Sequence, residues 1–466
     1  MMVVEDTEVA TRGRAWLATL AGRRVAVVGL ARSGIAAARL LHDVGARVIG
    51  LDAKPLAALG REAAALRDAG VPILSGPHAG AFADAALVVV SPGVPLDSPQ
   101  LAPARAAGLP IIGELELGWR AMEAETIAIT GTNGKTTTTA LTGALLAEQP
   151  RPVLVAGNIG TPLAAHALSF ARDGLLVAEV SSFQLETIEL FQPRVAAVLN
   201  VTPDHLDRHG SFEAYLEAKA RIFANQLPTE CAVLNADDPA SAALASRARA
   251  HVLWFSRRRP LEHGVFVRDG WVAAKLNGHV EAICPLAEMQ LRGQHNVENV
   301  LAATACALWV GVGAEAIRRA IGRFRAVAHR IEFVRDLRGV QFYNDSKGTN
   351  VASTIKALES FDEPVVLIAG GKGKGQDFGP LAATARGRVA HAVVIGEDGP
   401  KIAAALSVVG IPVSAAATMQ AAIETARVQA GRGGVVLLSP ACASFDMFDN
   451  YEHRGDVFKK LVGALD

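Results

Sequence analysis

The chain has 466 residues, half of them hydrophobic, and this length predicts about three domains with several buried cores. Lys plus Arg and Asp plus Glu each number 46, so the formal net charge is zero and no overall field favours binding to nucleic acid or to an acidic membrane. No apolar run reaches the roughly 18 residues of a membrane span, and the N-terminus lacks the basic and apolar regions of a secretory signal. Four cysteines without metal-ligand spacing are typical of free thiols in a reducing compartment, so we expect a cytoplasmic protein.

The first pattern along the chain is a strand–helix–strand unit. A buried strand over Arg24–Val28 is followed by the turn Gly29–Gly34 and a helix, and a second strand, Arg47–Leu51, ends in Asp52. A carboxylate about 20 residues after a glycine turn indicates a dinucleotide site. The middle glycine of that fingerprint is Ala31 here, which weakens the case for NAD. A general nucleotide site and a purely structural corner are the alternatives.

An all-apolar strand over Ala86–Val90 runs into a Pro/Gly turn that begins at Ser91. Open α/β sheets bind ligands where the carboxyl ends of their strands lead into such turns. We therefore expect a ligand site here, and we place the end of the first domain near Gly113.

The strongest motif follows a strand that ends at Thr130. Gly131–Gly134 is a small, turn-forming loop, and Lys135 and Thr136 open a helix, which together predict a phosphate-binding loop at a helix N-terminus. Lys135 would reach the β- and γ-phosphates of a nucleoside triphosphate, and the Thr136 hydroxyl would bind Mg²⁺. Ile129 stands where the usual phosphate loop has its first glycine, and an ordinary strand–turn–helix corner is the alternative.

Two further strands of the second domain end in polar side chains. Leu175–Val180 delivers Glu179, and Val195–Leu199 leads to His205. We expect both at the edge of the sheet where the phosphate loop lies. Mg²⁺ prefers oxygen ligands, which suits Glu179 better than His205. The alternatives are that Glu179 is a satisfied hydrogen-bond acceptor and that His205 is structural.

The rest of the second domain gives weaker signals. Phe212–Phe223 reads as an amphipathic helix, in which the spacing predicts a solvated or snorkelling Lys219. The alternation from residue 252 to residue 280 predicts a β-rich section. Asn296 and Asn299 lie at the start of a predicted helix, where helix capping is the simplest interpretation.

Strands and helices alternate again from about residue 329, which predicts a doubly wound parallel sheet. The strands Val340–Asn344, Val365–Ala369 and Val435–Leu438 each lead into a polar loop. The glycine- and lysine-rich loop at 370–377 is, by itself, also typical of a flexible surface segment. Two polar loops that follow strands of the same sheet favour an anion site.

The chain resembles the Mur ligases of peptidoglycan synthesis over nearly its whole length. The ligase motif shared by the family is Gly131-Thr-Asn-Gly-Lys-Thr136. More specific strings are Gly157-Asn-Ile-Gly, Ser181-Ser-Phe-Gln-Leu-Glu186, Asp204-His-Leu-Asp-Arg208, Asn344-Asp-Ser-Lys-Gly-Thr-Asn350 and Ser439-Pro-Ala-Cys-Ala-Ser-Phe-Asp446. These strings are similar to those of the branch of the family that adds D-glutamate.

The resemblance implies an α/β protein of three domains. Residues 1–113 would form a Rossmann-like domain for a UDP-sugar, residues 114–328 a P-loop ATPase-like domain, and residues 329–466 a Rossmann-like, doubly wound domain for an amino acid. The implied reaction is the ATP- and Mg²⁺-dependent addition of D-glutamate to UDP-N-acetylmuramoyl-L-alanine, through an acyl phosphate. We expect a monomer that neither binds nucleic acid nor inserts into membranes.

The resemblance also assigns roles to individual residues. Catalytic roles fall to Lys135, His205 and Lys219, and Lys219 matches a lysine that is carbamylated in the family. The metal ligands would be Thr136, Glu179, His205 and, once carbamylated, Lys219. The ATP contacts would be Gly131, Thr132, Asn133, Gly134, Lys135, Thr136, Thr137, Asn296, Asn299, Arg330 and Asp345. The UDP-sugar contacts would be Ser33, Asp52, Ser91, Gly93, Asn158 and Ser181. The D-glutamate contacts would be Thr349, Lys374, Ser444 and Phe445.

Three other functions fit parts of the sequence. A folate polyglutamate ligase shares the phosphate loop but lacks the N-terminal strand–helix–strand domain. A dinucleotide-dependent oxidoreductase built on Gly29–Gly34 leaves Lys135 without a role. A non-catalytic nucleotide-binding scaffold is the third alternative. Phosphate release that requires both the UDP-sugar and D-glutamate distinguishes the ligase from all three.

Overall fold

A computed structural model describes residues 12–276, 278–325, 327–373 and 375–466. The chain forms two compact units. The first contains the chain up to Cys284 together with Val300–Ala320, and the second contains Pro285–Asn299 together with Ile321–Asp466. Within the described residues, no helix combines the length and the apolar character that crossing a membrane requires.

The N-terminal part of the first unit is a five-stranded parallel sheet with helices between the strands. Its elements are α1 (Gly13–Ala18), β1 (Arg24–Val28), α2 (Arg32–Asp43), β2 (Arg47–Asp52), α3 (Arg61–Asp68), β3 (Ile73–Ser75), β4 (Ala85–Val90), α4 (Ala102–Ala106) and β5 (Ile111–Gly113). The strand order is β3-β2-β1-β4-β5. The order reverses between β1 and β4, and an open α/β sheet binds ligands beyond the carboxyl ends of strands at such a point.

The central part is built on a nine-stranded sheet. Its elements are α5 (Glu114–Ala121), β6 (Glu125–Thr130), α6 (Lys135–Leu146), β7 (Val153–Gly157), β8 (Leu175–Glu179), α7 (Ser182–Leu185), β9 (Val195–Val198), α8 (Leu206–His209), α9 (Phe212–Ala220), β10 (Cys231–Asn235), α10 (Pro239–Ala243), β11 (His251–Ser256), β12 (Gly264–Arg268), β13 (Trp271–Lys275), β14 (Val280–Pro285), α11 (Gln294–Trp309) and α12 (Ala314–Arg323). The strand order is β14-β13-β12-β11-β10-β9-β6-β8-β7. The strand before the phosphate loop, β6, therefore lies between β8 and β9.

The C-terminal part is a six-stranded sheet in the second unit. Its elements are β15 (Glu332–Leu337), β16 (Val340–Asn344), α13 (Val351–Leu358), β17 (Val365–Gly370), α14 (Gly379–Ala385), β18 (Val389–Ile395), α15 (Gly399–Val408), β19 (Val413–Ala415), α16 (Met419–Ala430), β20 (Val435–Leu438) and α17 (Tyr451–Gly463). The strand order is β15-β16-β20-β17-β18-β19, and only the pairing of β15 with β16 is antiparallel. Apolar side chains of β17 and β20 are buried on both faces of this sheet, as parallel strands require.

The three sheets, each with helices between its strands, confirm the predicted α/β fold class. The predicted β-rich section consists of β11–β14, in which β12 and β13 pair in antiparallel fashion. The predicted helix over Phe212–Phe223 ends as α9 at Ala220 and continues as a 3₁₀ turn over Arg221–Phe223. The predicted boundary after residue 113 falls within the first compact unit, and the three domain boundaries stay predictions.

Candidate active site

The loop between β6 and α6 has the backbone of a phosphate cradle. Gly131 has φ +152° and Gly134 has φ +85°, conformations that L side chains rarely adopt. A Cβ added at Gly131 would also lie 3.1 Å from the Cβ of Leu199 on the neighbouring strand connection. Glycine is therefore required by conformation at both positions, and α6 begins directly afterwards at Lys135.

Residues that follow β9 hold this loop in place. The backbone N–H of Thr132 donates to the carbonyl of Asn200 over 2.9 Å, and the N–H of Asn133 donates to Asn200 Oδ1 over 2.9 Å. The Thr132 hydroxyl donates to the carbonyl of Thr202 over 3.1 Å and lies 3.2 Å from the Tyr215 hydroxyl. The cradle is thus preorganised by hydrogen bonds, and neither Asn200 nor Tyr215 was among the predicted site residues.

Two lysine side chains meet on one carbonyl of the loop. Lys135 Nζ donates to the carbonyls of Gly131 and Thr132, both over 2.8 Å, and Lys219 Nζ donates to the carbonyl of Gly131 over 2.9 Å. Burial, followed by the charge of Lys135, lowers the pKa of Lys219 well below its usual range. The lowered pKa therefore favours the neutral amine form of Lys219.

The prediction that Lys219 is solvated is wrong, because its side chain is 1% exposed. Lys219 lies four residues after Tyr215 on α9, and residues at that spacing share a helix face. Tyr215 is buried, and Lys219 Nζ lies 4.5 Å from the centre of its ring. The prediction fails because it takes a charged side chain on a helix to face water, whereas the neighbours of this helix face are buried.

Glu179 ends the strand that pairs with β6. It lies opposite Ile129 in the parallel register of β6 and β8, two residues before the phosphate loop. Its Oε1 accepts a hydrogen bond from Asn158 Nδ2 over 2.7 Å, whereas its Oε2 is buried without a hydrogen-bond partner among the described residues. An unpaired buried carboxylate oxygen is costly, and a bound cation would satisfy it.

Thr136 and Thr137 lie in the first turn of α6, with side chains that are largely buried. Among the described residues, no three His, Cys, Asp or Glu side chains form a ready metal cluster. Mg²⁺ takes few protein ligands and completes its shell with water and phosphate oxygens. The hydroxyl oxygen of Thr136 and the Oε2 of Glu179 are oxygen ligands of the kind that Mg²⁺ prefers.

His205 lies beyond β9 with a left-handed backbone, at φ +53°. Its side chain is 41% exposed, its Nε2 is 3.7 Å from Asp204 Oδ2, and its ring lies edge-on to Phe183 at 4.9 Å between centroids. Ser181 is the N-cap of α7 and forms a capping box with Gln184.

A cavity of about 460 Å³ within the first unit brings together most of the predicted UDP-sugar residues. Asp52 accepts a hydrogen bond from the backbone N–H of Leu30 over 2.7 Å, and the Ser91 hydroxyl donates to the carbonyl of Gly29 over 2.7 Å. The lining includes Ser33, Asp52, Ser91, Gly93, Asn158 and Gln184. Ser181 is not part of this lining, although its hydrogen-bond partner Gln184 is.

Asp345, one of the predicted ATP residues of the second unit, is a buried carboxylate. Ser439 Oγ donates to Asp345 Oδ2 over 2.7 Å, and Arg330 Nη1 lies 3.7 Å from Asp345 Oδ1. Burial raises the pKa of Asp345 to about 6, against the opposing effect of Arg330. Within α11, the Asn296 side chain donates to the carbonyl of Arg292 and the Asn299 side chain donates to Asn296 Oδ1, so neither acts as an N-cap.

The two predicted polar loops of the second unit are adjacent. Lys372 and Ala443 exchange backbone hydrogen bonds of 2.9 and 3.0 Å, which joins the loop after β17 to the loop after β20. Ser444 is buried and Phe445 is 72% exposed, while Thr349 lies half-buried just before α13. Lys374 lies outside the described residues.

Arg454 is a structural residue of this region that the sequence did not reveal. It is 1% exposed on α17 and donates to the Ser346 hydroxyl over 2.9 Å and to the carbonyl of Cys442 over 3.2 Å. It therefore ties the loop after β16 to the loop after β20. A charged residue type predicts exposure, although Arg454 shares a helix face with the buried Phe458 and Val462, and its buried partners decide for burial.

Models of three Mur ligase domains match the chain. A Mur ligase MurD-like N-terminal domain matches residues 23–113, a Mur ligase middle domain matches residues 129–307, and a Mur ligase glutamate ligase domain matches residues 329–442.

Two relatives named UDP-N-acetylmuramoylalanine–D-glutamate ligase align with almost the whole chain. The one from Acidobacterium capsulatum is 50% identical over 448 residues, which cover 96% of this chain and 97% of the relative. The one from Koribacter versatilis is 49% identical over 449 residues, with 95% and 98% coverage.

Solved structures share the fold at low identity. UDP-N-acetylmuramate-alanine ligase from Thermotoga maritima superposes with a TM-score of 0.61 at 20% identity, covering 95% of this chain and 99% of that one. A pseudomurein peptide ligase type C from Methanothermus fervidus gives 0.59 at 18% identity, covering 95% and 100%.

Proposed function

The chain belongs to the Mur ligase family, and from this premise we propose that it joins D-glutamate to UDP-N-acetylmuramoyl-L-alanine in peptidoglycan precursor synthesis. The reaction uses ATP and releases ADP and phosphate. The observation that carries the proposal is the 50% identity, over nearly the full length of both chains, to a relative named for this ligation. The preorganised phosphate loop and the adjoining cavity in the same unit support it.

The chemistry requires activation of a carboxylate, because hydroxide is a poor leaving group and a carboxylate does not acylate an amine at neutral pH. The L-alanyl carboxylate attacks the γ-phosphate of ATP in line, giving an acyl phosphate and ADP. The amine of D-glutamate then attacks the acyl carbon, and the bond between that carbon and the phosphate oxygen breaks. Catalysis of the first step depends on positioning and on neutralisation of charge.

The phosphate loop supplies both. The backbone N–H groups of the loop and the positive end of the α6 dipole bind the phosphates. Lys135, which donates to two loop carbonyls in the structure, turns its ammonium to the β- and γ-phosphates. We assign the contacts in this loop to Gly131, Thr132, Asn133, Gly134, Lys135, Thr136 and Thr137.

The donors of this site fit Mg²⁺, and the buried, unpartnered Oε2 of Glu179 is the observation on which that fit rests. We assign Thr136 and Glu179 to one ion and His205, with a carbamylated Lys219, to a second. Bound Mg²⁺ would neutralise the charge of the triphosphate beside the attacking carboxylate.

The environment of Lys219 supports carbamylation. A carbamate forms when the neutral amine adds to the carbon of carbon dioxide and releases a proton, and burial beside Lys135 favours the neutral amine. The carbamate also places a negative charge beside the ammonium of Lys135, with which it forms an opposite-charge pair. The modified side chain gains oxygen donors able to support a metal ion, which the unmodified amine lacks.

The remaining substrate contacts are assigned unit by unit. In the first unit, Ser33, Asp52, Ser91, Gly93 and Asn158 are assigned to the UDP-sugar on the basis of the cavity that they line, and Ser181 through its bond to Gln184. In the second unit we assign Asn296, Asn299, Arg330 and Asp345 to ATP. Thr349, Lys374, Ser444 and Phe445 are assigned to D-glutamate.

We further propose that the enzyme acts in the cytoplasm as a monomer and binds no nucleic acid. The four cysteines are buried free thiols, which is typical of a reducing compartment. Size-exclusion chromatography with light scattering tests the oligomeric state, and a single species of about 49 kDa is the expected result.

Phosphate release tests the proposed function. With ATP and Mg²⁺, we expect phosphate only when UDP-N-acetylmuramoyl-L-alanine and D-glutamate are both present. Omission of either substrate is the control. Phosphate release that is independent of D-glutamate, or nicotinamide binding at the N-terminal sheet, would contradict the proposal.

A further inference from the structure

A buried carboxylate outside the assigned site lies behind one wall of the UDP-sugar cavity. Glu114 is the first residue of α5 and is 1% exposed. Its Oε1 accepts a hydrogen bond from the backbone N–H of Ala164 over 2.8 Å. Its Oε2 is buried without a hydrogen-bond partner among the described residues. A buried carboxylate with one unsatisfied oxygen is costly for the folded state, so a role beyond packing is worth seeking.

The segment that Glu114 contacts continues directly into the cavity wall. Gly157, Asn158, Gly160 and Pro162 line the cavity, and Pro162 precedes the 3₁₀ turn that contains Ala164. The wall is a closed turn, because the N–H of Gly157 donates to the carbonyl of Thr161 over 2.9 Å. We name residues 157–164 the wall loop.

The other end of the wall loop is held by Glu179. The N–H of Asn158 donates to the carbonyl of Glu179 over 2.9 Å, and Asn158 Nδ2 donates to Glu179 Oε1 over 2.7 Å. A buried glutamate therefore accepts a hydrogen bond from each end of the wall loop: Glu179 from Asn158, and Glu114 from Ala164.

Helix α5 packs closely against the far end of the wall loop. A Cβ added at Gly118, one turn after Glu114, would lie 2.6 Å from Leu163 Cβ and 2.8 Å from the N of Ala164. The helix and the loop are thus in close contact at Gly118, and the carboxylate of Glu114 fixes the loop along the same face.

We propose that Glu114 is a positioning residue for the UDP-sugar, acting through its hydrogen bond to Ala164 to hold the wall loop in its binding conformation. It contacts no substrate itself. This inference rests on the proposed function, since it assumes that the cavity binds the UDP-sugar. Loss of the hydrogen bond between Glu114 and Ala164 should weaken binding of the UDP-sugar. It should leave the phosphate loop, and hence ATP binding, unchanged.

Glu114→Leu removes the acceptor with little change in volume, and Glu114→Gln retains one carbonyl oxygen. We expect the KM for UDP-N-acetylmuramoyl-L-alanine, and its Kd from calorimetry, to rise about tenfold in Glu114→Leu and about threefold in Glu114→Gln, as loss or weakening of one buried hydrogen bond implies. The KM values for ATP and D-glutamate and the kcat should stay within about twofold.

Glu116→Gln is the matched control. Glu116 lies on the same helix and is fully buried, but it accepts hydrogen bonds from the backbone of residues 189–191, which do not line the cavity. This variant should lower thermal stability and leave the KM for the UDP-sugar within about twofold, because it disturbs packing without moving the wall loop.

Two results would overturn the inference. One is an unchanged Kd for the UDP-sugar in folded Glu114→Leu, and the other is a parallel change in all three KM values and kcat. If Glu114→Leu does not fold, Glu114→Asp decides, because its shorter side chain draws the carboxylate away from Ala164; a rise of about threefold or more in Kd supports the inference and no change overturns it. A wild-type protein that binds no UDP-sugar would overturn the proposed function as well.

Discussion

The meeting of Lys135 and Lys219 on the carbonyl of Gly131 is the most unusual residue-scale feature of the site. Two ammonium groups this close repel each other, and burial adds a penalty for the charged form of Lys219. The arrangement is resolved if one side chain binds phosphate and the other becomes a carbamate.

Lys135→Ala should reduce phosphate release at saturating substrates by about 100-fold or more, because the variant loses a preorganised positive charge at the transferred phosphoryl group. The UDP-sugar Kd and the thermal midpoint serve as controls and should change little. An active Lys135→Ala enzyme would remove the phosphate-loop assignment.

Lys219→Ala should be nearly inactive and should regain part of its activity when acetate or formate is added, since a small carboxylate can take the place of the carbamate. Phosphate release with and without the added acid is the measurement. Lys135→Ala treated in the same way is the control and should show no rescue. Full activity of Lys219→Ala without any addition would exclude the carbamate role.

Glu114 predicts a pH dependence of stability. Burial, opposed by the amides of Ala164 and Leu163, raises its pKa from 4.5 to about 7. The folded state therefore holds the proton more tightly than the unfolded state, and this contribution to stability is complete below about pH 4.5 and lost as the pH rises through about 7.

Glu114→Gln cannot ionise, so its free energy of unfolding relative to wild type should increase by about 2 kcal/mol between about pH 5 and about pH 8. Urea denaturation at the two pH values gives this difference. A difference between the two proteins that stays constant across the range would show that Glu114 is ionised throughout.

At the scale of elements, the close approach of α2 to the turn after β1 depends on Gly34. A Cβ at this position would overlap the carbonyl oxygen of Gly29, whose neighbour Ser91 donates to the same oxygen. The helix could accept the extra atom only by moving away from the sheet, and that movement would widen the UDP-sugar cavity.

Gly34→Ala should therefore cost about 1–3 kcal/mol of stability and weaken binding of the UDP-sugar. Thermal unfolding and calorimetry measure the two effects. Gly80→Ala is the matched control, because a Cβ there meets nothing within 4 Å and should leave both quantities unchanged. Equal behaviour of the two variants would contradict the packing argument.

At the scale of the whole molecule, the fold could be predicted because its signals are local. Apolar runs such as Arg24–Val28 and Val435–Leu438 are strands of parallel sheets, and the polar loops that follow them mark carboxyl edges. The tight loop between β6 and α6 could be predicted for the same reason, since its glycines and the lysine and threonine that follow lie within six consecutive residues.

The parts that could not be predicted depend on contacts between distant residues. Lys219 and Arg454 are charged residues on helices, and only the packed neighbours Tyr215 and Ser346 show that they are buried. The hydrogen bond between Glu114 and Ala164 joins residues 50 apart in the chain, so no local sequence pattern indicates it. The resemblance to Mur ligases implies a role for Lys219, a residue that the spacing alone predicts to be solvated.

The central claim is that this chain activates the carboxylate of UDP-N-acetylmuramoyl-L-alanine with ATP and transfers it to D-glutamate. Phosphate release measured with a panel of amino acids, including L-glutamate, L-alanine and glycine, tests that claim most directly. The account predicts release with D-glutamate at a rate at least about tenfold above that of every other amino acid, since a site built for one substrate's polar groups rejects analogues that leave them unpaired. Equal rates across the panel, or no phosphate with D-glutamate, would contradict it.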